Sequence, residues 1–136
     1  MYLYADEYQT LTFNNDHSLM QVRWTDATSK LAAKNYSRTV QNVVDYVERR
    51  RPENVLADME RFTYTGSLVN QGMEKFQLLK KLMKAGVKKL ALIKSQDTIT
   101  QLIMEQFTVN DRHDSVSTRY FNNEEQARVW LNQVEA

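Results

Sequence analysis

NVLADMERFTYTGSLVNQG, residues 54–72, is the stretch on which the fold turns. Val55, Leu56, Ala57 and Met59 make a short apolar run interrupted only by Asp58. A run of that length, bounded by turn signals, suits a central parallel strand covered on both faces. The polar stretch behind it carries Gly66 and Gly72, two of the chain's three glycines. Beyond it Val69, Met73, Phe76, Leu79, Leu82 and Met83 recur at helical spacing, and Gly86 supplies the residue at which that helix stops. Strand, turn and helix together make the repeating unit of an α/β sheet.

Working outward, the same alternation continues in both directions. Upstream, Tyr36, Val40, Val43, Val44 and Val47 mark an amphipathic helix over about residues 28–50. Thr28 or Ser29 can supply its N-cap oxygen, Arg49, Arg50 and Arg51 suit the negative end of its dipole, and Pro52 stops it. Before that helix, Leu11 and Phe13 alternate with Thr10 and Thr12, and Met20, Val22 and Trp24 with Gln21 and Arg23. The two runs flank Asn14-Asn15-Asp16-His17, so residues 8–25 read as an antiparallel hairpin. Tyr2 to Glu7 either extends the first strand or forms a loose arm. Downstream, KKLALIK (88–94) reads as another buried strand. A third helix follows, capped by Ser95 or Asp97, with Ile99, Leu102, Ile103 and Phe107 on its apolar stripe. SVSTRYF then alternates like an edge strand, and a last helix carries Ala127, Trp130, Leu131 and Val134 behind a capping pair, Asn123 and Gln126. The expectation is one α/β domain over residues 1–136. Its mixed sheet has about five strands, an N-terminal antiparallel hairpin followed by parallel crossovers, and about four helices.

Composition narrows the function classes. Eighteen basic residues stand against seventeen acidic, a net charge of +1, which removes the usual electrostatic warrant for a nucleic-acid partner. Cysteine is absent, so disulfides, thiolate metal sites and cysteine nucleophiles are excluded together. His17 and His113 fall in separate loops without metal-ligand spacing, and no cofactor is expected. The opening MYLYADEYQT has no basic region followed by a long apolar one, and no stretch approaches the length of a membrane span. A cytoplasmic protein without membrane insertion is the expectation.

The element order, with a Ser/Thr-rich loop between the third strand and second helix, resembles the STAS domain of anti-sigma-factor antagonists. The ending RYFNNEEQARVWLNQ adds to it. Phe121, Glu125, Ala127, Trp130 and Leu131 are similar to the final strand–helix signature of a STAS-like, sporulation-antagonist-like group of bacterial proteins. The resemblance implies a regulatory or protein-interaction module in bacterial signalling. It places Asp58 on the aspartate that ends the third strand of phosphorylatable STAS domains, Phe62 and Leu68 on flanking apolar positions, and Thr65 on the phosphoacceptor. Tyr64 stands where those domains have an aspartate, and Gly66 and Ser67 appear in swapped order.

Asp58, Thr63, Thr65, Gly66 and Ser67 are therefore the candidate binding or regulatory loop. It lies where a strand's carboxyl end meets a helix's amino end, and unpaired N–H groups there favour an anion. A capped strand-to-helix turn accounts for the same residues, with Thr65, Ser67 or Asn70 as cap. Met73, Phe76 and Met83 offer a surface for a partner or a wall for an apolar ligand, and the same stripe also reads as core. The leading expectation is a non-enzymatic module that meets a protein partner, with a homodimer through an exposed edge strand as one form. A carrier of a small apolar or lipid ligand is the alternative. An enzyme using Asp58 beside Lys94 is the third.

Overall fold

The structure, a computed structural model, describes residues 1–30, 33–63, 80–108 and 116–133. Six strands run in sheet order β1 (Tyr2–Ala5), β2 (Gln9–Asn14), β3 (Leu19–Trp24), β4 (Asn54–Asp58), β5 (Lys89–Ile93) and β6 (Ser117–Phe121). The first three pair antiparallel and the last four parallel, as the hairpin and the crossovers require. The sixth strand is the opening segment: Tyr2–Ala5 pairs with β2 across a register shift, so it extends the sheet as a strand of its own. Helix α1 (Ala33–Arg50) joins β3 to β4, and residues 80–84 are the described end of α2, ahead of β5. Helix α3 (Thr98–Thr108) precedes β6, and α4 (Glu124–Leu131) closes the chain.

Period-two alternation sorts the strand side chains onto two faces. Met20, Val22, Trp24, Val55, Ala57, Leu90 and Leu92 join Val43 and Val47 of α1 and Leu82 of α2 on one face. Leu19, Leu56, Ala91 and Ile93, the intervening positions, meet Ala127, Trp130 and Leu131 of α4 on the other. Both faces of β4 and β5 are therefore buried, which is why their sequences are almost continuously apolar. Full burial of a side chain such as Leu56 stabilises the fold by about 1.5–3 kcal/mol.

Local signals end the helices. Gly86 adopts φ +95°. Its N–H bonds Met83 O at 3.0 Å and the Val87 N–H bonds Leu82 O at 3.0 Å, the paired closure of a Schellman turn. At the end of α1 the same left-handed role falls to Arg51, φ +48°, whose N–H bonds Val47 O at 2.7 Å before the buried Pro52. Asn123 Oδ1 accepts from Gln126 N at 2.9 Å and caps α4. Asp97 caps α3, accepting from Thr100 N at 3.1 Å while its own carbonyl accepts from Gln101 N.

Two readings of the sequence need correction. Thr28 and Ser29 lie in a 3-10 turn (Asp26–Lys30) ahead of α1, and their hydroxyls donate to Thr25 O and Asp26 O. On α3, Ile99 and Leu102 are 63% and 59% exposed, while Thr100 and Gln101 are buried. Gln101 Oε1 accepts from Ser95 N at 2.8 Å, so the first turn is fixed with its polar side inward.

Candidate functional site

The carboxyl ends of β3, β4 and β5 meet the first turn of α4 and the start of α3. Parallel pairing puts Arg23 opposite Asp58 and Asp58 opposite Ile93. Arg23 Nε lies 3.3 Å from Asp58 Oδ2, and one of its terminal nitrogens lies 3.3 Å from Glu124 Oε1. Glu124 sits in the first turn of α4, where a carboxylate suits the positive end of the helix dipole. Gln21 donates to Glu124 and accepts from Arg128 at 2.8 Å, and Arg128 in turn pairs with Glu124 at 3.5 Å. Arg23 is largely exposed and Arg128 partly so, so each pair alone contributes little. Together they fix the start of α4 over β3.

The chain leaving β4 is stapled to the end of β5. Met59 N bonds Ile93 O at 3.2 Å and Gln96 N bonds Glu60 O at 2.9 Å. The Gln96 side chain donates to Glu60 Oε1 at 2.9 Å, and the buried Ser95 hydroxyl donates to Phe62 O at 2.7 Å. Phe62 is buried in edge contact with Trp24, centroids 5.4 Å apart. Thr63 N donates to Thr28 Oγ1 at 3.2 Å, tying the loop's origin to the 3-10 turn, and the buried Thr63 Oγ1 has no partner among the described residues.

Of the residues expected at this site, Asp58 and Thr63 lie on the edge. Thr65, Gly66, Ser67, Met73 and Phe76 fall outside the described residues. Met83, expected on a partner or ligand surface, is half-buried and packs against the core shared by α1 and the sheet. Asp58 has both oxygens engaged, Oδ2 with Arg23 and Oδ1 with Glu60 N at 3.1 Å. Among the described residues no ion pair joins Asp58 to Lys94, and no group of three or more His, Cys, Asp or Glu could hold a metal. Asp97 has its carboxyl held below the usual carboxylate value by the Thr100 hydroxyl, at 2.5 Å, and the Thr100 amide. Sequence reasoning missed the pairing of Arg23 with Glu124, which are 101 positions apart, and no local pattern announces it.

An antiparallel start, four parallel strands and helices on both faces define a STAS-like α/β domain. The family comparison agrees. The chain belongs to the SpoIIAA-like family, whose model matches residues 19–132. No curated protein and no solved structure matches it. Among the described residues no helix is long and apolar enough to cross a membrane.

Proposed function

We propose that the protein is a non-enzymatic regulatory module that works by binding a protein partner through the edge formed by residues 58–63 and the start of α3. Membership of the SpoIIAA-like family supports a STAS-type regulatory or interaction role. The observation that carries the rest is the division of labour at the edge. Asp58, Glu60, Ser95 and Asp97 are all committed to internal bonds, whereas Ile99 and Leu102 stand exposed on the adjoining helix. Groups tied up in this way serve to hold a surface in shape, and exposed aliphatic side chains give a partner something to bury.

The test is affinity capture from the source cell with the unaltered chain and with an Ile99→Glu/Leu102→Glu variant. A partner retained reproducibly by the first and lost by the second is the expected result. The same partner on both baits would remove this edge from the interface. Mass analysis of the purified chain tests the switch: a phosphatase-sensitive phosphate on Thr65 would make the loop a regulated one. An unmodified loop fits a capped strand-to-helix turn.

A further inference from the structure

A second site lies along one flank of α1, beside the β1–β2 turn. Asn35, Arg38, Asn42 and Asp45 fall at spacings of three, four and three, so they share one stripe of α1. That stripe faces the β1–β2 turn across a half-open groove of about 500 Å³, which Tyr4, Tyr8 and Gln9 also line. This volume is in the range of small-molecule sites.

The floor of the groove is unusual. Gln9 has 0% exposure, sits on the core-facing side of β2 with Leu11 and Phe13, and its Oε1 accepts from Asn42 Nδ2 at 2.9 Å. Its Nε2 is buried with no hydrogen-bond partner among the described residues. A buried amide donor left unsatisfied costs about as much as a lost hydrogen bond, so a site that keeps one has something to offer a ligand. Turning both amides over changes which atom is left, but one polar atom of Gln9 stays over either way. Arg38 lies one turn toward the amino end of α1 from Asn42 and has no ion pair among the described residues. Asp45 lies about one turn the other way, with Oδ1 taken by Gln41 at 2.9 Å. Asp6, by contrast, is spent on the turn itself, accepting from the Tyr4 hydroxyl and from the N–H groups of Tyr8 and Gln9.

We propose that this groove binds a small zwitterionic, peptide-like molecule. Its amide pairs with the Gln9–Asn42 carboxamides, its carboxylate lies toward Arg38 and its ammonium toward Asp45. An amide group supplies both a donor and an acceptor, so it satisfies the Gln9–Asn42 pair in either orientation. The cation and the anion lie on either side of that pair along the helix. A free dipeptide carries its two termini in the same order around its amide, whereas an internal segment of a partner protein carries neither.

The experiment is a nitrogen-resolved NMR titration of the full chain with alanylalanine, and in parallel with N-acetylalanine methylamide, which has the amides but neither charge. The Gln9 side-chain amide signals report directly on the floor of the groove. The expected result is a saturable shift of those signals by the dipeptide, at least ~10-fold weaker for the blocked compound. Arg38→Gln, an exposed change that leaves the core alone, should weaken the dipeptide about 10-fold. The double change Gln9→Leu/Asn42→Leu removes both polar partners together, which is tolerated better than removing one, and, read from the backbone amides of the groove that shift in the parent, should abolish dipeptide binding. Absence of any shift at the Gln9 amide at 10-millimolar order of dipeptide overturns the proposal. Equal binding of the blocked compound, or a response unchanged in Arg38→Gln, overturns it as well.

Discussion

Lys89 should be replaceable by methionine only at a measurable loss of stability, and by glutamate hardly at all. It is 6% exposed within β5, on the same face as Ala91 and Ile93, where an apolar residue would be expected. Its Nζ donates to Trp130 O at 3.0 Å and to Gln133 O at 2.6 Å, and stands 5.3 Å from the Trp130 ring centroid. The ammonium thus closes the carboxyl end of α4, where the helix dipole favours a cation. Two hydrogen bonds from a charged donor contribute roughly 1.5–3 kcal/mol each, but removing the ammonium from water costs several kcal/mol in return. Trp130 O keeps a bond from Gln133 N at 3.2 Å, and Gln133 is exposed, so methionine strands neither carbonyl. The net loss expected for Lys89→Met is therefore about 1–2 kcal/mol, or roughly 3–8 °C in Tm for a domain of this size. Lys89→Glu sets an anion against the same carbonyls and should cost more than about 4 kcal/mol. Urea unfolding followed by Trp130 fluorescence in a Trp24→Phe background measures both changes at the site. A methionine variant as stable as the parent, or a glutamate variant no worse than methionine, would refute the capping account.

The other predictions concern the helix ends. Arg51→Gly should raise stability by about 0.5–1 kcal/mol in denaturant, because φ +48° is strained for arginine and free for glycine. Gly86→Ala should lower it by about 1–2 kcal/mol through backbone strain alone, since an added Cβ meets nothing within 4 Å at φ +95°. A neutral result in the same unfolding assay would mean that the turn relaxes. Asp97→Asn should flatten the acid limb of the stability curve. The Asp97 carboxyl is lowered in the folded state from its ordinary 3.8, chiefly by the Thr100 hydroxyl and then by the Thr100 amide. Its contribution is therefore present above the unfolded value and is lost as pH falls through the folded one. Acid titration of both proteins by circular dichroism checks this, and identical curves would count against the cap.

Much of the fold was legible because its signals are local. The hairpin's alternation put Leu11, Phe13, Met20, Val22 and Trp24 inside, and all are buried. Gly86, Pro52 and Asn123 marked helix ends through backbone constraints that need no distant partner. The opening segment was undecidable for a related reason: Tyr2–Ala5 becomes a strand only because β2 has a free edge to pair with. On α3 the apolar spacing misled. One buried bond from Ser95 N to Gln101, together with the Asp97 cap, decided which side faced inward and left Ile99 and Leu102 outside.

The candidate site divides in the same way. Sequence placed Asp58 and Thr63 at the carboxyl edge of the sheet, because a strand followed by a turn and a helix leaves its last residues there. It could not say what Asp58 does, since Arg23 lies 35 positions away and Glu124, at the far end of the same network, 101 from Arg23. Lys89 and Trp130 are 41 apart and Gln9 and Asn42 are 33 apart. The sequence by itself determined the succession of elements and the buried faces of the strands and of α1 and α4, because periodicity and capping act over a few residues. Only the tertiary structure decided which polar groups meet, because those contacts depend on strand order and helix placement, and the spacing of residues along the chain does not encode them.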